Sequence, residues 1–283
     1  LKAVGKAGGL VTIHCELGDE IDALRDKFFS EGKTEPLYHA LSRPAEFEAQ
    51  AVQRVIDFAK EANCAIYIVH VSSKESLKTI EKAQKSGQKV LTETCPHYLL
   101  IDDSSYKGTF NNTVKYVLSP PLRKKEDQNA LWNGIQMGVI STVGTDHCPF
   151  NLNQKSVGKD DFRKVPNGAG GVEHRFSLLY TYGVLEKRIT LNQFVDVTST
   201  KASKIFGLYP QKGEIAIGSD ADLVIWNPEK ENTISVKNHQ QNCDLEIFEG
   251  FKTKGAAEHV IIGGKIATED LKGKFLARKI EHR

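Results

Sequence analysis

Hydrophobic and polar positions along this chain follow two alternating rhythms. Short β-branched runs at Val11–Cys15, Ala65–Val71, Val90–Cys95 and Val139–Thr145 read as buried parallel strands. Between them, apolar residues recur at helical spacing over Pro44–Asn63, where Phe47, Val52, Val55, Ile56 and Ala59 share one face. Lys74–Lys85 and Glu126–Met137 read the same way, the second opening on the acidic pair Glu126-Asp127. Two further helices are expected over Val172–Leu185 and Leu191–Phe206, with Gly207 as the stop signal. The alternation of strand and helix predicts parallel strands joined by crossover helices.

Two long stretches interrupt this order. Ile101–Arg123 carries Ser119-Pro120-Pro121-Leu122-Arg123, and Pro149–Gly171 carries Pro166-Asn167-Gly168-Ala169-Gly170-Gly171. Loops of that length in a compact domain are usually functional or disordered. Both follow strands, so both are expected on the C-terminal rim. After Pro210 the pattern changes to short alternating segments with Gly-rich turns, from Lys212 to Trp226, at Thr233–Val236 and at Val260–Ile266, the last turning at Gly263-Gly264. This reads as a second, smaller β unit. The expected division is 1–210 and 211–283.

Charge and cysteine content narrow the class. With 38 basic and 36 acidic residues the formal net charge is +2, which builds no polyanion-binding face, so a nucleic-acid partner is not expected. No apolar run approaches the ~20 residues of a membrane span, and no signal peptide is apparent. The five cysteines (15, 64, 95, 148 and 243) are scattered, with no Cys-x-x-Cys, so neither a disulfide framework nor a thiolate zinc site is suggested. Cytoplasmic residence is the expectation. The chain opens on Leu1 and runs at once into what reads as the end of a helix, stopped by Gly8-Gly9. The expectation is a fragment whose N-terminal portion is absent.

Candidate chemistry sits at the strand ends. His14 closes the first strand, His70 the second, and Asp146 follows the fourth in Gly144-Thr-Asp146-His-Cys. Strand C-termini deliver side chains to the rim where α/β barrels keep their active sites. Neutral imidazoles and a carboxylate suit zinc or a similar divalent ion. One such histidine alone is more often a hydrogen-bonded rim residue, and on spacing alone both readings stay open. Asp146 is placed to take a proton from water and return it to a leaving nitrogen. His97 lies just past the third strand but behind the turn at Pro96. Cys95 and Cys148 lack a separate base and orienter, so buried thiols are the better reading than nucleophiles. Ser119 and Asn167, on Pro-bounded loops, are placed to present backbone groups to an amide ligand, or are ordinary turn residues.

Taken in order, several stretches resemble one family. They are Val11-Thr-Ile-His14-Cys-Glu-Leu-Gly18-Asp19, Tyr67-Ile-Val-His70-Val-Ser, Glu93-Thr-Cys-Pro-His-Tyr98, Ser119-Pro-Pro-Leu-Arg123, Gly144-Thr-Asp146-His-Cys-Pro-Phe150, Pro166-Asn-Gly168 and Gly218-Ser-Asp-Ala-Asp-Leu-Val224. They are similar to the cyclic amidohydrolases, and within them to the dihydropyrimidinase/D-hydantoinase group. The Ser119 and Asp146 loops favour that group over allantoinase and dihydroorotase. The resemblance implies a TIM barrel with a binuclear zinc centre. His14 and His70 would bind one metal and Asp146 the other. Ser119 and Asn167 would recognise substrate largely through their backbone. A metal-bridging hydroxide would open dihydrouracil, dihydrothymine or a hydantoin to an N-carbamoyl amino acid, with Asp146 as proton shuttle.

Departures from the family pattern matter as much. No His-x-His occurs, Leu17 stands where asparagine is common, and the family's bridging carboxylated lysine would fall before Leu1. The fold expected is therefore the C-terminal half of the barrel, strands five to eight, plus part of a small β-sandwich, and the segment alone is expected to be inactive. The expected partners are a small cyclic amide, the missing half-barrel and, in a longer protein, a homotetramer with Gly273–Lys279 as contact material. A non-catalytic scaffold relative is the rival from another class. Retention of His14, His70 and Asp146 argues against it.

Overall fold

The structure is a computed structural model describing residues 1–268 and 270–278. Lys279 and the end of the 211–283 unit lie outside the described residues. The chain opens with a one-turn helix α1 (Lys2–Lys6) and strand β1 (Leu10–Ile13), separated by Gly8 in the left-handed region. Then come α2 (Gly18–Ser30), α3 (Leu37–Leu41), α4 (Ala45–Glu61), β2 (Ala65–Ile68), α5 (Lys74–Lys85) and β3 (Val90–Thr94). Short helices α6 (Pro96–Leu100) and α7 (Phe110–Thr113) lead to α8 (Lys125–Gln136) and β4 (Thr142–Val143).

These four strands form one parallel sheet in the order β1-β2-β3-β4, with Ile66 paired both to Val11 and to Val90. The sheet is buried by the apolar faces of the intervening helices, among them Val52 and Ile56 of α4, Leu77 and Ile80 of α5, and Leu131 and Ile135 of α8. Ser73 caps α5 by accepting the Ser76 N–H, and the Asp127 carboxylate accepts both the Lys124 and Lys74 N–H groups, which joins the starts of α5 and α8. The chain belongs to the α/β class with the parallel strand order expected, although Ile68 and Val143 end their strands before the expected limits of Val71 and Thr145. The shortening has a physical cause. His70 and Asp146 adopt positive φ (40° and 46°), which turns the chain out of the sheet.

The long stretch after β4 is built from α9 (Leu152–Lys155) and single 3₁₀ turns rather than open loop. The expected helix Val172–Leu185 appears as α10 (Arg175–Leu179) continued by a π-helical segment, Tyr180–Leu185. Leu191–Phe206 appears as α11 (Leu191–Val195), a π-helical segment (Asp196–Thr200) and α12 (Lys201–Ile205). The later residues form an antiparallel sheet of β5 (Leu223–Thr233), β6 (Lys252–Ile262) and β7 (Lys265–Ile266). The turn at Gly263-Gly264 is where the sequence places it, but Ile234 leaves β5 for the main core instead of continuing a strand to Val236. Ile247 and Phe248 join it there, so the 234–251 connection packs back on the first unit. No helix among the described residues is long and apolar enough to cross a membrane.

Candidate metal centre

Side chains alternate across a strand, so Cys15 points into the core while His14 and Glu16 share the opposite side at the end of β1. His14 Nδ1 lies 2.9 Å from His70 Nε2, although 56 residues separate them. The other nitrogen of His14 lies 3.1 Å from a Glu16 carboxylate oxygen. Burial depresses the basicity of His70, as does the His14 charge, with Asp146 and Glu48 opposing both. The net direction favours the neutral form of the imidazole, the form that ligates. Two imidazole nitrogens at this separation approach the ~3.3 Å edge expected between ligands of a tetrahedral ion with metal–nitrogen distances of ~2.0–2.1 Å. These residues therefore fit a divalent ion of the zinc type.

Asp146 is exposed at the same rim, where its charge acts on His70 and Glu93. Its loop is tied to the loop carrying Asn167. His147 bridges Ala169, the Cys148 N–H donates to Ala169 O at 3.0 Å, and the Gly171 N–H donates to His147 Nδ1 at 3.1 Å. That loop is tied in turn to the one carrying Ser119. The Gly168 N–H donates to Val117 O at 3.0 Å, and Lys155 Nζ donates at 2.9 Å to both Val117 O and Pro166 O. Gly168 is required here, since its φ is +144° and a Cβ would lie 2.6 Å from Cys148 O. Ser119 Oγ is buried without a partner, while Asn167 is exposed. His14 and His70 are thus in contact, and the loops bearing Asp146, Asn167 and Ser119 are joined through backbone.

The other sequence candidates stand apart. His97 is buried against Tyr98, and burial with the His70 charge pushes it down to about 3. Cys95 is fully buried and its thiol is pushed well up by burial, consistent with a core thiol. Cys148 is exposed, against the expectation of burial, because Ala169 draws its backbone and not its side chain inward.

Three polar groups escaped the sequence reading. Beneath the rim, Glu93 accepts the Tyr67 hydroxyl at 2.7 Å, and a Cβ on Gly144 would lie 2.5 Å from its carboxylate. Nothing in the sequence around Glu93 announces this partner. Lys155 reads as a surface lysine until the loop folds over it. Third, Glu246 Oε2 accepts from His174 Nε2 at 3.0 Å and from His239 Nδ1 at 3.2 Å, and all three groups are within 4.8 Å of one another. This donor set can hold a metal ion. Gln241 Nε2 and the Phe248 N–H also donate to the same carboxylate, so protein donors already satisfy it. Residues 174, 239 and 246 have no local spacing that would have announced the cluster.

Comparison with known proteins agrees with this geometry. Residues 1–267 match the model of the amidohydrolase family. The chain is 45% identical to a D-hydantoinase of Ralstonia pickettii over 98% of its own length and 62% of the relative's. It is 44% identical to a D-hydantoinase of Geobacillus stearothermophilus over 95% of its length and 58% of that protein's. Among solved structures, a dihydropyrimidinase from Brevibacillus agri superposes with a TM-score of 0.92 at 44% identity, covering 94% of this chain and 58% of that one. An L-hydantoinase from Arthrobacter aurescens superposes with a TM-score of 0.88 at 30% identity, covering 98% and 60%. The chain spans about three-fifths of the length of these relatives. With a strand-end histidine pair, a parallel sheet and a family match over nearly all its residues, the chain belongs to the amidohydrolase family, whose fold is of the α/β TIM-barrel type and whose members are generally metal-dependent.

Proposed function

We propose that this chain supplies part of the active site of a cytoplasmic cyclic amidohydrolase that opens dihydropyrimidines or hydantoins to N-carbamoyl amino acids. The observation that carries the reading is the facing pair His14 Nδ1 and His70 Nε2, 2.9 Å apart at adjacent strand ends. His14 and His70 would hold one metal ion and Asp146 the other, and zinc suits the imidazole donors. A bound divalent ion supplies a water acidic enough to attack at neutral pH and polarises the amide carbonyl. Asp146 takes the proton released by the attacking water and hands it to the ring nitrogen as the C–N bond breaks. Backbone groups around Ser119 and Asn167 orient the ring amide, and the cross-bonded loops hold those groups in register. That the similar proteins are D-hydantoinases and a dihydropyrimidinase supports the substrate class.

The four strands are, in this reading, one half of a barrel, and 211–283 is one part of a smaller β domain. The support is the open sheet, whose β1 and β4 each have a single partner strand. A second set of metal ligands would come from outside these residues.

The test is zinc content together with hydrolysis of dihydrouracil, hydantoin and allantoin by the natural polypeptide that carries residues 1–283. About two zinc ions per chain with turnover of the first two substrates is the expected outcome. Turnover of allantoin alone would assign a different substrate. Absence of both metal and turnover would make the chain a scaffold relative.

A further inference from the structure

Proton bookkeeping at the histidine pair singles out a residue to which no role has been given. Glu16 sits two positions past His14, and its side chain is only 7% exposed. One carboxylate oxygen is 3.1 Å from His14 Nε2, and the other lies 3.7 Å from Nε of Arg43, whose side chain is 9% exposed. The Arg43 Nε has no hydrogen-bond partner, so Glu16 is its nearest counter-charge. A carboxylate oxygen accepts, so the His14 nitrogen 3.1 Å from it is the one that donates. Neutral His14 is then the Nε2–H tautomer, with the lone pair on Nδ1. That lone pair points at His70 Nε2. His70 Nε2–H donates into it when no ion is present, which leaves His70 Nδ1 bare. His70 Nδ1 is indeed buried with no partner.

We propose that Glu16, held by Arg43, is a positioning residue that fixes His14 as the Nε2–H tautomer and aims its Nδ1 at the seat of a divalent ion. Carboxylates behind ligating histidines orient the ring and raise its basicity, and their loss typically weakens metal binding 10–100-fold. The contacts of the Glu16 carboxylate are to His14 and Arg43. The inference rests on the metal reading for its purpose, but its tautomer content stands without a metal.

The experiment is ring-¹⁵N NMR of histidine-labelled protein, using the natural polypeptide that carries residues 1–283, together with zinc(II) affinity by chelator competition. In the wild type, His14 is expected as Nε2–H before zinc is added and as the Nδ1-bound form after. Glu16→Ala should populate the Nδ1–H tautomer and weaken zinc binding about 10–100-fold. Glu16→Gln, which keeps the shape and one acceptor, should shift both readouts in the same direction by less. Two results overturn the proposal: a wild-type His14 carrying its proton on Nδ1, or a Glu16→Ala protein that keeps the Nε2–H tautomer with zinc affinity within about twofold of wild type. A wild type that binds no zinc at this pair would defeat the metal reading instead, and the tautomer would still decide the role of Glu16.

Discussion

Among the described residues, two of the four non-glycine positions with positive φ are the expected ligands His70 and Asp146, the others being Asn63 and Lys187. A left-handed backbone is costly for most residues and persists where the surroundings over-determine it. Here it lies just past the ends of β2 and β4 and turns the chain out of the sheet. Asp and Asn tolerate this region better than other side chains. Asp146→Asn should therefore leave the melting temperature near wild type, since it keeps the side-chain shape and tolerates the same φ. It removes the carboxylate that accepts the proton, so kcat should fall about 10²–10⁴-fold, the usual contribution of general acid–base catalysis. Steady-state kinetics on dihydrouracil beside a thermal melt separate the two effects. A variant with unaltered kcat would take the proton-shuttle role away from Asp146.

Among the elements, the rim depends on loops bound to one another more than on regular structure. Lys155 ends the four-residue helix α9, is 1% exposed, and reaches Val117 O and Pro166 O from beneath. Burial pulls its amine down to about 7. A neutral amine still has two N–H groups, enough for both carbonyls. The sign of the pH effect follows. Between about 7 and the ordinary 10.5 the unfolded chain binds the proton that the folded chain has lost, so folding becomes more favourable as pH rises through that window. The shift corresponds to a change on the order of 5 kcal/mol across the window. Denaturant melts of wild type and Lys155→Met from pH 6.5 to 9.5 test this. Wild-type stability should climb relative to the variant, and parallel curves would show that Lys155 is charged and solvated.

How far the sequence revealed the molecule also differs by element. Helices α4, α5 and α8 were legible because each presents a long apolar face to the sheet, and the parallel strands because both of their faces are buried. The expectation passed over α2, since Ile21 is its only buried residue and the apolar stripe is thin. Strand ends announced His14, His70 and Asp146. The joining of the loops that bear Asp146, Asn167 and Ser119 was not legible, because it depends on Lys155 and Gly168, which act through contacts distant in sequence. Glu16 was hidden for a different reason. Its partner, Arg43, comes from the turn after α3, an element too short to leave a periodic signal.

On the scale of the whole molecule, strand edges and apolar surface decide what the chain does in solution. Among the described residues both outer strands of the parallel sheet have one free edge, and a free edge is a template for pairing with another strand. The β5–β7 sheet leaves Val224, Ile225, Ile262 and Ile266 at least 46% exposed, and the preceding segment leaves Ile215 and Ile217 open to solvent. Neighbouring apolar side chains left in water on one sheet are a driving force for association. With a net charge of only +2, long-range repulsion does little to oppose it. A polypeptide of residues 1–283 by itself is therefore expected to self-associate at micromolar concentration. Sedimentation velocity should show species larger than the 31.4 kDa monomer, with Ile225→Lys and Ile266→Lys together shifting the distribution toward monomer. Those two changes place like charges on the exposed sheet and leave the histidine pair untouched. A wild-type segment that sediments as a monomer and melts cooperatively would mean that its open edges are sheltered by its own chain, and the half-barrel reading would fall with the association.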